Sequence, residues 1–280
     1  MANCIFCNCK KVSKEHLWGK WWTEYYPPSK KSMLIRDDHT ITKRDSNNEV
    51  IEEKGQFSNV GNSMTKTTKV VCENCNNTWM SQIENDMKKA FHSIYIKKKE
   101  TISTNSELSI RKWMYLKYCL IDRAYSDQSS MISSKLPNFL QIKEKIEFQR
   151  TECWSQFLEG KVIPSEFHFF IARSTKDCKF GSFNHLPLML MDRNNSLNVN
   201  IVDTCMFFNG HFIGIVTSHD GIAKHLLNYT KDENLNPFRL LNMNTQELPI
   251  DFEVHGSVLE EEVLSILENK LNRKLRRNFI

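Results

Sequence analysis

The chain has 280 residues, enough for one large domain or two ordinary ones with a buried core. An apolar fraction of 40%, with 17 Phe and 6 Trp, excludes a disordered polymer, and 9 Gly with 7 Pro exclude a long low-complexity linker. The net charge of +5 permits a polyanionic partner without demanding one, because many soluble enzymes carry a similar excess.

No run of about 18 apolar residues is present, which excludes a transmembrane helix on hydropathy. The opening Met1-Ala2-Asn3-Cys4 carries no basic stretch followed by an apolar one, so the expectation is a cytoplasmic protein. In that compartment the 9 Cys are reduced thiols, and clustered thiols read as metal ligands.

In chain order, residues 1 to about 100 form the first expected domain. It opens on Cys4-x2-Cys7 and passes through Ser13-Lys14-Glu15-His16-Leu17-Trp18 into the aromatic group Trp18, Trp21, Trp22, Tyr25 and Tyr26. Pro27-Pro28 and the polar stretch from Ile35 to Thr68 predict a loop or hairpin insertion. After Cys72-x2-Cys75, the apolar positions Trp79, Met80, Ile83, Met87, Ala90, Phe91 and Ile94 recur at helical spacing and predict a helix from Asn76. The run Lys97-Lys98-Lys99-Glu100, followed by Thr101 to Asn105, breaks that pattern and marks the expected boundary.

The second expected domain, residues 101–280, combines helices and antiparallel strands. A helix is predicted from about Ser109 to Ala124, with Ser106 or Ser109 as its cap and Ile110, Trp113, Leu116, Leu120 and Ile121 as its stripe. Past Pro164 the texture turns to strands over Glu166–Ala172, Leu186–Met191, Thr204–Phe208 and His211–Thr217. Asn209-Gly210 between the last two predicts a type I′ hairpin. A closing helix is predicted from about Val258, with Ser257 and Glu260 as a capping box, acidic residues at its start and Lys274, Arg276 and Arg277 at its end. The fold class expected for the whole is α+β.

The chemistry lies in the cysteines. Two residues between thiolates let a tight turn offer both sulfurs to one ion, and two such turns complete a tetrahedron. Cys4, Cys7, Cys72 and Cys75 are therefore the expected ligands of a structural Zn2+. Cys9 could replace Cys4 or Cys7, and otherwise is a free thiol beside the site. Cys119, Cys153, Cys178 and Cys205 show no ligand spacing and read as buried thiols.

With Glu15-His16 after the first pair and Asn76-Asn77-Thr78-Trp79-Met80 directly after the second, residues 4 to 84 resemble the HNH endonuclease superfamily, specifically a zinc-bearing bacterial subgroup. Trp113 with Lys117, and Pro164 before a strand, are similar to that subgroup's second half with far less specificity. The resemblance implies a ββα module around a catalytic Mg2+ or Mn2+ that hydrolyses phosphodiester bonds in DNA. It also implies a setting such as restriction or anti-phage defence. His16 would be the general base, Glu15 a ligand of the catalytic metal, and Asn76 the residue completing that metal's shell, with Asn77 as the alternative in a doubled-Asn register. Glu84, two helical turns beyond Asn76, is a further ligand or a solvated helix residue.

The sequence departs from that pattern in one place. The middle Asn of the motif usually lies a few residues before the second cysteine pair, where this chain reads Thr65 to Val71; Asn59 and Asn62 lie further upstream. That departure sustains a second reading, a zinc-stabilised module that binds nucleic acid or a partner protein without cutting. A third gives the C-terminal region a regulatory ligand or partner. The aromatic group reads as core more readily than as a base-stacking platform. Lys30-Lys31, Lys43-Arg44 and Lys97 to Lys99 could meet phosphates or simply be solvated. Ser218-His219-Asp220-Gly221 reads as turn chemistry, because consecutive residues do not easily form a catalytic triad.

Overall fold

The structure, a computed structural model, describes residues 3–27, 40–44, 50–54, 67–96, 102–126, 139–174, 182–191, 199–228, 239–240 and 253–254. The expected closing helix, Asn59, Asn62, Lys30-Lys31, Lys97 to Lys99 and Cys178 lie outside them. The fold is α+β, with helices and mainly antiparallel sheets. Contacts group into two compact units: Met1–Gln82 with Cys119–Val162 and Met191–Val199, and Ile83–Tyr118 with Ile163–Leu190 and Asn200–Ile280. Among the described residues no helix is long and apolar enough to cross a membrane.

In the first unit, β1 (Val12–His16) is followed by the short helix α1 (Trp22–Tyr25). Trp18 and Trp22 are fully buried with their rings edge to face at 5.3 Å, so the aromatic group is core at its centre. Trp21, Tyr25 and Tyr26 keep partial exposure. The insertion contains a hairpin, β2 (Thr40–Arg44) against β3 (Val50–Lys54), as the polar stretch suggested. β4 (Thr67–Cys72) then returns antiparallel to β1.

The chain turns helical directly after β4. A three-residue α2 (Glu73–Cys75) runs into a π-helical stretch over Asn76–Met80, then α3 (Ser81–Phe91), then a second π-helical stretch over His92–Ile96. Most of the expected stripe is inside: Met80, Ile83, Met87, Ala90, Phe91 and Ile94 are buried, and Trp79 is half-buried.

α4 (Thr104–Ser126) starts five residues before the predicted helix. The cap is Ser103, whose hydroxyl accepts the Ser106 N–H at 3.2 Å, rather than Ser106 or Ser109; Ser109 is spent on the Asn105 carbonyl. α5 (Phe139–Gly160) has no counterpart in the sequence reading. Its apolar positions are split between faces, with Ile146, Trp154 and Phe157 buried but Leu140 and Phe148 exposed, so no single stripe announces it. In the first unit the tail of α4 is joined to α5 by Asp122–Arg150 and Arg123–Glu147, each 2.8 Å.

The second unit is built on a sheet of order β10-β5-β8-β7-β6, with β9 also on β5. Its strands are β5 (His168–Ser174), β6 (Ser182–Met191), β7 (Val199–Asn209), β8 (Phe212–Thr217), β9 (Arg239–Leu240) and β10 (Glu253–Val254). β10 pairs with β5 in parallel. β8 sits in the middle and all six of its residues are buried, as expected of a strand covered on both faces. Phe212 receives Phe91, Tyr95 and Trp113 at 5.5–6.4 Å, while Tyr115 packs on Phe167 and Phe169. Each such aromatic contributes about 1.5–3 kcal/mol on burial.

Two local expectations are corrected. The β7–β8 hairpin exists, but Asn209 pairs with Phe212, so the turn residues are Gly210 and His211 rather than Asn209 and Gly210. Only Gly210 has positive φ, at 59°, which suits a turn with glycine first and not the type I′ pair. Asp220-Gly221 is not a turn. It begins α6 (Asp220–Leu227), capped by His219, whose Nδ1 accepts the N–H of Gly221 at 3.1 Å and of Ile222 at 3.2 Å. An imidazole supplying this cap must be neutral with its proton on Nε2.

A cluster of polar groups is sealed into the same unit. Tyr118 donates to Asp203 at 2.7 Å, and Lys117, 1% exposed, is paired with Glu84 at 2.5 Å. Two stability predictions follow. Tyr118→Phe strips a charge-assisted bond from a buried carboxylate and should cost about 1.5–3 kcal/mol in urea unfolding. A Cβ at Gly214 would lie 2.7 Å from the Phe212 ring and 3.0 Å from the Met114 methyl, so Gly214→Ala should cost about 1–3 kcal/mol by overpacking.

Candidate metal centre and the ribbon it closes

The first cysteine pair sits on a turn whose backbone is shaped by one residue. Asn8 adopts φ 57°, a conformation that Asn tolerates better than most side chains. Its N–H donates to the Cys4 carbonyl at 2.9 Å, and the Cys4 N–H donates to the Cys9 carbonyl at 2.8 Å. The turn is tied to β4 by the Ile5 N–H on the Val70 carbonyl, 2.9 Å. The second pair closes β4 and opens α2: Cys72 caps that helix by accepting the Cys75 N–H on its sulfur at 3.4 Å.

These two turns bring four sulfurs together. The Sγ atoms of Cys4, Cys7, Cys72 and Cys75 all lie within 4.8 Å of one another, with Cys4 and Cys75 at 3.9 Å and Cys7 and Cys72 at 3.4 Å. A Zn–S distance of about 2.3 Å gives a tetrahedral edge of about 3.8 Å, which the two measured separations straddle. The group can hold a metal ion and is compatible with structural Zn2+. Cys9 is exposed and stands outside the group, so it replaces neither Cys4 nor Cys7; its contribution is backbone. Cys119 and Cys205 are buried, whereas Cys153 is only half-buried.

The protonation energetics suit a cation. Burial pushes the Cys4 thiol up, but donors from the backbone of Cys7, Cys72 and Phe6 outweigh it and leave the thiol more acidic than usual. Burial, with the Cys72 and Cys4 sulfurs, raises Cys7, against the Cys9 N–H and the Cys75 thiol. Cys75 is pushed far up by burial and by Cys7, Cys4 and Cys72, with the nearby Trp79 side chain opposing. Four thiolates this close repel, and a divalent ion removes the conflict.

Trp79 also binds the cage to the rest of its unit. Its ring meets Phe6 edge to face at 4.9 Å and Phe157 of α5 at 5.9 Å, and the Lys161 ammonium lies 4.1 Å from its centroid.

The other expected site residues are placed as follows. Glu15 and His16 end β1: Glu15 is 8% exposed and opposite Thr68, while His16 is half-buried and opposite Thr67. Val12 and Cys72 form the opposite end of that ladder, so Glu15 and His16 lie about 10 Å and about 13 Å along the strand from the cysteine end. Asn76 and Asn77 open the π-helical stretch, Asn76 half-buried and Asn77 exposed. Glu84 belongs to the second unit, where it pairs with buried Lys117, a partner that its helical spacing from Asn76 gave no means of finding. Comparison with protein-family models, curated proteins and solved structures finds no match to the chain.

Zinc stoichiometry tests the centre. Wild type should carry one Zn2+ per chain, and Cys72→Ser should lose it together with cooperative melting of the first unit. Cys9→Ser should retain the metal in full. Asn8→Gly should be tolerated, whereas Asn8→Val, forced into left-handed backbone, should cost about 1–2 kcal/mol in thermal unfolding.

Proposed function

We propose that the chain is a metal-dependent endonuclease of HNH type acting on DNA. The observation that carries this reading is the continuity of the first unit. The cysteine group clamps the turn before β1 to the end of β4; β1 ends in Glu15-His16, and β4 leads straight into a helix whose first residues include Asn76 and Asn77. Two antiparallel strands followed by a helix support a ββα module, and π-helical widenings are frequent at functional positions.

In this reading Zn2+ does no chemistry and fixes the ribbon against the helix. The Glu15 carboxylate and the Asn76 side-chain oxygen, with Asn77 as the alternative, are the hard oxygen donors that Mg2+ or Mn2+ requires. That ion, when bound, would stabilise charge on the scissile phosphate and the leaving oxygen. In its neutral form the His16 imidazole would take the proton of the attacking water at a ring nitrogen. Burial of Glu15 keeps its carboxylate out of bulk solvent, where a bound cation offsets the desolvation cost.

One observation favours a second reading, a zinc-stabilised DNA-binding module without cleavage. The ladder places His16 at its far end from Cys72, and the described residues before the second pair, Thr67 to Val71, contain no Asn to brace the base.

Plasmid nicking separates the two. With Mg2+ or Mn2+ the wild type should nick, and His16→Ala should lose about 100-fold or more while keeping its zinc and its melting temperature. No nicking by zinc-loaded wild type, or nicking indifferent to His16→Ala, would sink the nuclease reading.

A further inference from the structure

The β1–β4 ladder contains an irregularity that has no evident use in folding. Ser13 pairs with Val71 and Glu15 with Thr68, so the single residue Lys14 stands opposite two residues of β4, Lys69 and Val70. Val70 is buried at 8% exposure, while Lys69 and Lys14 are both exposed. The bulge therefore brings two exposed lysines to facing positions of the ribbon. Like charges facing across a ladder disfavour the pairing.

Two more exposed cations, Lys10 and Lys11, lead into the same strand. Among the described residues none of these four lysines has an ion-pair partner. Elsewhere among the described residues Lys89, Lys117, Arg123 and Arg150 are each matched to a carboxylate, whereas Lys20, Lys112, Lys143 and Lys224 also stand without one, so what sets Lys14 and Lys69 apart is their facing positions in the ladder. The ladder's own carboxylate, Glu15, is buried, and the exposed acid nearest to β4 in sequence, Glu73, lies beyond Cys72.

We propose that Lys14 and Lys69, with Lys10 and Lys11 beside them, form the surface on which the first unit holds the phosphate backbone of nucleic acid. The bulge presents paired cations toward a partner carrying closely spaced negative charges, and that partner offsets the repulsion the ribbon bears alone. Duplex DNA, with one charge per about 1.7 Å of axis, supplies negative charge at close intervals. The choice of DNA rests on the proposed nuclease activity; the choice of surface does not.

The test uses the full zinc-loaded chain and a fluorescent 20-base-pair duplex of arbitrary sequence, with anisotropy read over a salt series and no added Mg2+. The Lys14→Ala/Lys69→Ala double variant should keep its zinc and melt no lower than wild type, because a repulsion is removed. Its slope of log affinity on log salt should fall by about two, so a fourfold rise in salt should weaken it about tenfold less than wild type. Lys89→Ala, on α3, should leave the slope unchanged. An unchanged slope in the double variant overturns the proposal. So does a wild type that ignores the duplex, or lysine-dependent binding seen on anionic lipid vesicles and not on DNA. A wild type with the lysine-dependent slope that never nicks with Mg2+ or Mn2+ sinks the nuclease reading alone. One that nicks but binds with a slope indifferent to both lysines sinks this surface alone.

Discussion

Four sulfurs drawn from two turns, one before β1 and one after β4, meet within 4.8 Å, and most of the first unit is organised by that meeting. Neither turn could hold its thiols so close without a counter-charge, since burial and mutual repulsion both oppose ionisation. Hydrogen bonding from the knuckle backbone reduces the conflict at Cys4 but leaves Cys7 and Cys75 raised. A metal ion held there would make binding and folding one equilibrium, and displacing it would also release β1 from β4.

From the cage the constraint spreads through aromatic contact rather than through further polar bonds. Trp79, four residues after Cys75, packs on Phe157 of α5 and meets Phe6 edge to face. The second unit solves a different problem. Its central strand is buried on both faces, and among the described residues Lys117 is matched by Glu84 and Asp203 by the Tyr118 hydroxyl. Removing either member of such a pair costs more than never having had it.

What could be read from sequence divides along physical lines. The cysteine ligands were legible because a thiolate pair at fixed spacing is a local device with few other uses, and four sulfurs do converge. The stripe from Met80 to Ile94 was legible because burial on one face leaves a period. α5 was not, because its apolar residues serve more than one face. The cap of α4 and the start of α6 were missed for a related reason: Ser103 and His219 are caps only by virtue of where the backbone leaves the helix, and His219 is an uncommon choice. The β7–β8 turn was found and its register misjudged, since Asn209 was absorbed into the ladder by pairing with Phe212. Glu84 shows the limit most clearly. Its salt bridge to Lys117 joins residues 33 positions apart, and no spacing rule reaches that far.

The cage has one more consequence, for the chain it encloses. Cys7 and Cys72 are 65 residues apart, so the cysteine group ties off a long loop that contains the β2–β3 hairpin. The entropy of closing such a loop grows only logarithmically, and doubling its length costs about 0.6 kcal/mol. The segment between β1 and β4 is therefore nearly free to lengthen or shorten. Material could be inserted there, up to a small folded element, while the knuckles and the ribbon stay as they are.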